Sequence, residues 1–242
     1  MANHPVLYSY RRCPYAMRAR MAIAASGLQV EQREIVFWDK PEEMMEASPK
    51  GEVPVLILPN GQVVDESRDI MIWALQKRDP LKWQLGSDQV ESGMALMDAC
   101  DFEFKEHLDH YKYADRFPEY SQMHYRKMGE EFLNRLESIL VESQAAHSVL
   151  ALNGSRLSIV DIAIFPFIRQ FVNVDKTWFE QGGYPCLQQW LAQHLQSDYF
   201  LAIMKNRPVW QTHFQPLWVI ESELQTRDQF LTKALAEQCQ SK

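Results

Sequence analysis

Cys13 is followed by Pro14 and stands between a short apolar run, Val6-Leu7-Tyr8, and a helical pattern from Pro14 to Ser26. That position decides its chemistry. A cysteine at the start of a helix meets backbone N–H groups with no partner inside the helix and feels the positive end of the helix dipole. Both favour the thiolate, the form that attacks disulfides and electrophiles. Arg11 and Arg12 add positive potential if they point toward the sulfur. Pro14 suits the first helical position, where its missing N–H costs nothing. The competing role is a structural cysteine at a strand end.

Two other segments carry binding chemistry. In Gly51-Glu52-Val53-Pro54-Val55 a proline enters a strand from a loop, a place where a cis peptide bond can occur. A cis bond there would turn the N–H and C=O of Val53 outward, ready to pair with a peptide-like ligand as an added strand. The alternative is an ordinary trans proline opening a strand. In Asp65-Glu66-Ser67, Ser67 can cap the helix that follows, and the free N–H groups there can hold a carboxylate. Glu66 can pair with an ammonium group. Together they would receive an α-amino-acid head group; a plain helix cap is the simpler role.

The elements that must position these groups alternate in the first part of the chain. Val6-Leu7-Tyr8 reads as a strand. The helix from Pro14 has Met17, Met21, Ala24 and Ala25 on one face and stops at Gly27. Val30 to Phe37 reads as a second strand, and Lys40-Pro41 opens a short helix ending near Pro49. Val55 to Leu58 is a third strand, Asn60-Gly61 a hairpin turn, and Gln62 to Asp65 the returning strand. Ser67 to Lys77 reads as a helix. The order is β-α-β-α-β-β-α.

After Asp79-Pro80 the strand signals fade. Helical patterns run over 89–113, 121–146, 157–172, 185–195, 199–205 and 218–237. The chain therefore divides near 79–87 into an α/β domain, 1–79, and an all-helical domain, 88–242.

The formal net charge of −7 argues against nucleic-acid partners. No apolar run approaches the length of a membrane span, and residues 1–10 lack a secretory-signal layout, so a cytoplasmic address is expected. The four cysteines, Cys13, Cys100, Cys186 and Cys239, are widely spaced, with neither disulfide nor metal-ligand spacing.

In their order and spacing Cys13, Val53-Pro54 and Glu66-Ser67 resemble the glutathione transferases. That family has a thioredoxin-like N-terminal domain and a helical C-terminal domain. Its catalytic residue follows the first strand, a cis-proline precedes the third strand, and a Glu/Asp-Ser pair opens the third helix. Cys13-Pro14-Tyr15-Ala16 is similar to the omega class and its cysteine-type relatives, and Lys40-Pro41-Glu42 is spaced from Val53-Pro54 as the omega lysine is. The resemblance implies that Lys40, Val53, Pro54, Glu66 and Ser67 bind glutathione and that Cys13 is catalytic. Ser158-Ile159-Val160-Asp161 matches the family's Ser/Thr-x-x-Asp box, a structural capping box.

Ala16 stands where a dithiol glutaredoxin carries its resolving cysteine, so a monothiol mechanism is expected. The Cys13 thiolate would take up glutathione from a mixed disulfide or a conjugate, and a second glutathione would release it. The resemblance implies thiol-transferase or dehydroascorbate-reductase activity, glutathione as co-substrate, no metal, a small electrophile or disulfide as second substrate, and a homodimer. The electrophile pocket is expected between the domains, with Tyr15, Tyr111 and Tyr113 as candidate lining, although aromatics at helical spacing are more often core. Two alternatives stay open: Tyr8, Ser9 or Tyr10 could serve a tyrosine- or serine-type conjugation, and the fold could be a non-catalytic protein-binding module. Residues 207–242 could cover the site or pack on the helical domain.

Overall fold

In the computed structural model, which describes residues 3–222, four strands form a sheet in the order β2-β1-β3-β4. They are β1 (Val6–Ser9), β2 (Glu31–Glu34), β3 (Val55–Ile57) and β4 (Val63–Val64). β1 runs parallel to β2, as the intervening helix requires, and antiparallel to β3. α1 (Pro14–Ser26) makes that crossover, α2 (Glu42–Ala47) precedes β3, and α3 (Ser67–Lys77) follows β4. This is the expected thioredoxin-like order. α1 ends where the sequence places its stop: Gly27 takes φ 67°, a conformation glycine adopts without a Cβ clash. Leu7, Tyr8, Val55 and Leu56 are fully buried, so the sheet's core strands are the ones that carry the flanks of the site.

β2 is shorter than the strand expected over 30–37, and it is polar. Its four residues are Glu31-Gln32-Arg33-Glu34, and three of them are buried. The reason is a run of chain 185 residues or so further on. Along the outer edge of β2, Trp210 N–H donates to Glu34 C=O (2.8 Å), Gln32 N–H to Leu217 C=O (2.7 Å) and Val219 N–H to Val30 C=O (2.9 Å). An exposed edge is thereby closed. Residues 207–219 thus pair along β2 in the first unit and do not join the helical one.

The described residues form two compact units: 197–222 belong to the first with 3–81, and the second is 82–196. The helical domain expected over 88–242 therefore stops at Gln196. α10 (Asp198–Ile203) packs on α1 in the first unit. Of the helix expected over 218–237, residues 218–222 are not helical and the remainder lies outside the described residues, as does Cys239.

The second unit holds α4 (Val90–Asp98), α5 (Lys105–Lys112), α6 (Gln122–His147), α7 (Ile159–Val172), α8 (Lys176–Gln181) and α9 (Pro185–Leu195). The single helix expected over 89–113 contains a π-helical stretch, Ala99–Phe104, which joins α4 to α5. Phe104 stacks on Phe132 and meets Phe171 in the core. α7 opens with the expected capping box: Ser158 N–H donates to Asp161 Oδ2 (2.8 Å) and Ser158 Oγ accepts from the helix. Asp161 Oδ1 also takes Leu152 N–H and Trp190 Nε1–H, so this buried carboxylate ties three segments together.

Candidate functional site

Cys13 is the N-cap of α1, with Pro14 at the first helical position. Its peptide is extended (φ −71°, ψ 124°), and the side chain caps nothing in the helix. Sγ instead lies 3.6 Å from the carbonyl oxygen of Val53. The sulfur is half-buried, and it packs against the cluster that holds Tyr8, Ala16 and Val53. The Val53-Pro54 bond is cis. The two segments that the sequence singles out separately, residue 13 and residues 53–54, thus meet through a direct contact.

The positive charge near Cys13 is arranged differently from the expectation. Arg12 is exposed and is engaged with Tyr10: its Nε donates to the Tyr10 hydroxyl (2.9 Å) and its guanidinium lies over the ring. The cation buried behind the thiol is Arg20, on α1. Burial pushes its guanidinium down; the charges of Glu34 and of Cys13 oppose that shift. Nothing in the linear sequence separates Arg20 from an exposed helical arginine, since Arg18-Ala19-Arg20 fits either face.

Lys40 folds over Gly51. Its Nζ lies 2.9 Å from the point that a Cβ at residue 51 would occupy, and Gly51 has φ +65°. The lysine therefore stands beside the backbone that leads into Val53. Its ammonium group is also 5.9 Å from the centre of the Phe37 ring.

At the start of α3, Glu66 is the N-cap and is exposed, while Ser67 is the first helical residue and is buried. Ser67 does not cap the helix. Its Oγ accepts from Arg18 Nε (3.1 Å) and Nη2 (3.0 Å), because α1 packs on α3 and brings the guanidinium beneath it. Glu66 Oε1 accepts from Lys50 Nζ at 2.6 Å, and Asp65 Oδ2 lies 3.4 Å from the same ammonium. Ser48 Oγ donates to Asp65 Oδ2 and, together with Lys50, holds that carboxyl below its ordinary range. The acidic pair and the serine predicted from sequence are together; the two cations that serve them, Lys50 and Arg18, were not foreseen.

Of the hydroxyls near Cys13 in sequence, those of Tyr8 and Tyr10 are otherwise engaged. Tyr8 O–H donates to Glu43 (2.9 Å) and accepts from Arg33 (2.8 Å), and burial pushes its phenol well above the ordinary tyrosine range. Ser9 is fully buried. Tyr10 O accepts from Arg12. Of the aromatic residues proposed for a pocket, Tyr15 is half-buried on α1 with the Arg18 guanidinium 5.1 Å from its ring centre. Tyr111 is buried in the second unit, 4.8 Å from Phe171, and is a core residue there. Tyr113, at the end of α5, is flanked by Lys112 and Arg116. Among the described residues no group of histidine, cysteine, aspartate and glutamate could hold a metal ion, and no helix is long and apolar enough to cross a membrane.

Comparison with known proteins gives two family models in the same order as the two units. A glutathione S-transferase N-terminal domain matches residues 7–82, and a glutathione S-transferase C-terminal domain matches residues 121–193. Together they take in well over half of the chain. The chain is 27% identical over 212 residues to glutathione S-transferase omega-1 of Sus scrofa, covering 87% of this chain and 80% of that protein. Among solved structures, a glutathione transferase of Phanerochaete chrysosporium crystallised with oxidized glutathione superposes with a TM-score of 0.69 at 17% identity, covering 83% of this chain and 93% of that one. A family member from Pseudomonas fluorescens with two glutathione molecules bound gives a TM-score of 0.64 at 22% identity, covering 82% and 91%.

Proposed function

This chain belongs to the glutathione S-transferase family, and from that premise we propose that it is a cysteine-type, omega-like enzyme that uses Cys13 as a monothiol in glutathione-dependent thiol transfer. The observation that carries the reading is the placement of Cys13 Sγ at a helix N-terminus and 3.6 Å from the Val53 carbonyl of the cis-proline loop. The engagement of the Tyr8 hydroxyl with Glu43 and Arg33 weighs against the tyrosine-type alternative, because its one hydrogen is already donated to Glu43.

In the reaction, glutathione lies against Val53 as an added strand. Lys40 faces its glycine carboxylate, Ser67 and the N–H groups of α3 receive its γ-glutamyl carboxylate, and Glu66 receives its ammonium. The Cys13 thiolate attacks the glutathionyl sulfur of a mixed disulfide. A Cys13–glutathione disulfide forms, and the other thiolate leaves. A second glutathione thiolate attacks the glutathionyl sulfur of that intermediate, which releases oxidized glutathione and returns the Cys13 thiolate. Dehydroascorbate and small glutathionylated thiols are the substrate classes to screen, and a homodimer is the expected assembly.

The test is intact mass after incubation with oxidized glutathione. One adduct that added glutathione removes, and that Cys13→Ser lacks, supports the reading; an adduct that persists in Cys13→Ser overturns it. Failure to bind glutathione at all would favour a non-catalytic binding module.

A further inference from the structure

Arg11, two residues before Cys13, is held by both of its backbone groups. Its N–H donates to Glu34 Oε1 at 2.6 Å, and its C=O accepts from Arg20 Nη2 at 2.7 Å. Cys13 N–H then closes the turn on Tyr10 C=O at 3.0 Å. Arg20 is itself fixed to α1, through Nε to the Ala16 carbonyl. The path of the chain into the reactive cysteine is thus set by two charged side chains from different elements, α1 and β2.

Both charges are inside the protein. Arg20 is 0% exposed and Glu34 7%. A third, Arg207, is 6% exposed; it comes from the run that closes the edge of β2, and its Nη2 donates to the carbonyls of Trp218 (2.5 Å) and Val219 (2.9 Å). Arg207 acts electrostatically on both Glu34 and Arg20. Among these three buried charges two are guanidinium groups and one a carboxylate, a surplus of one positive charge that the half-buried Glu221 offsets in part at Arg207. Arg20 Nη1 and Arg207 Nε and Nη1 have no hydrogen-bond partner among the described residues, and the other guanidinium nitrogens donate to neutral carbonyls, which carry no compensating charge. A buried surplus is weakly screened and acts on whatever ionises beside it. The neighbouring group that can ionise to an anion is Cys13, whose charge is felt at Arg20. Tyr8 and Tyr10 share the packing cluster of the thiol, Arg11, Arg12 and Tyr15 stand within two residues of it in the chain, and Glu52 precedes Val53.

We propose that Arg20, Glu34 and Arg207 are positioning residues that act through Cys13: Glu34 and Arg20 hold the Arg11 peptide, and the balance of the three charges sets how readily Cys13 ionises. The inference rests on Cys13 being the reacting thiol. It assigns the C-terminal run a role in the chemistry, because Arg207 brings one of the two cations. Removing Arg207 should make the thiol less acidic, and neutralising Glu34 should make it more acidic. A purely structural role would move both variants in one direction, since each loosens the same loop.

The experiment is the pH dependence of alkylation at Cys13 by iodoacetamide, read site by site on the full chain by mass spectrometry, for wild type, Arg207→Met, Glu34→Gln and the double variant. Below the thiol's midpoint, Arg207→Met should react about two- to tenfold more slowly and Glu34→Gln faster by a similar factor. The double variant carries the wild-type charge balance and should return to the wild-type rate. Glu34→Gln alone leaves two buried cations uncompensated; should it fail to fold, Arg207→Met and the double variant still decide. Shifts of the same sign, or a double variant that differs from wild type as much as Arg207→Met does, overturn the proposal. Alkylation needs no glutathione, so absence of a glutathione adduct would sink the thiol-transfer reading through a different measurement.

Discussion

Lys50 Nζ lies 2.6 Å from Glu66 Oε1 and 3.4 Å from Asp65 Oδ2, so the acidic pair at the start of α3 already holds an ammonium group from its own chain. Both Lys50 and Glu66 are exposed, and a pair of that kind is held weakly. If Glu66 receives the ammonium of glutathione, that ammonium has to displace Lys50. Lys50→Gln should then tighten glutathione binding by about two- to fivefold in titration calorimetry. An analogue without the α-amino group should show no such gain. Weaker binding of glutathione by Lys50→Gln would mean that Lys50 touches the ligand itself, and would reject the competition.

Much of the fold and of the site is legible in the residues, and the rest fails for identifiable reasons. Cys13-Pro14 opening a helix and Gly27 closing it are local signals, and α1 has those bounds. Ser158 and Asp161 sit three apart and bond reciprocally, as a capping box should. What local patterns cannot show is pairing between distant segments. The Glu31-Gln32-Arg33-Glu34 strand looks like a surface, and only the return of residues 207–219 makes it an interior strand. The same long-range closure places Arg207 inside and gives Glu34 its buried setting. Lys50 and Arg18 are missed for a similar reason: each serves a partner sixteen or more positions away.

Cys13→Ser should abolish glutathione-disulfide exchange while leaving glutathione binding in place. A hydroxyl at that position is not appreciably ionised at neutral pH and cannot form the mixed disulfide. The measurement is the rate of oxidized-glutathione formation from a glutathionylated small thiol, beside the affinity for glutathione. Unchanged turnover would remove Cys13 from the mechanism; lost affinity with retained fold would make its role one of binding.

Gly51→Ala tests the placement of Lys40. Residue 51 has φ +65°, where an L side chain costs roughly 1–2 kcal/mol. The added Cβ would also stand 2.9 Å from Lys40 Nζ, and the flexible lysine would swing away. The variant should lose about that much stability in urea denaturation. Its affinity for glutathione should fall further than wild type's would on lowering stability alone, and it should fall less in a Lys40→Met background. Equal losses in both backgrounds would show that Lys40 does not act on the ligand.

His194, at the end of α9, predicts how the helical unit responds to acid. It is buried against Phe165 and Trp190, and burial alone pushes its imidazole down to about 3. A folded value below the ordinary 6.5 means that the unfolded chain binds the proton first. The stability His194 confers is therefore fully present above pH 6.5 or so and is lost as pH falls toward the folded value. The loss approaches about 1.4 kcal/mol per pH unit in that window. Asp161 acts in the opposite sense, because burial raises its carboxyl, so its protonation favours the folded state on acidification. Trp190 touches both groups, which makes the difference between variants the informative quantity. Comparing wild type with His194→Gln by urea denaturation between pH 7 and 4 cancels the carboxylate contributions. The variant should be less stable at pH 7 and show the flatter dependence on pH. Parallel pH profiles would mean that His194 accepts its proton inside the folded protein.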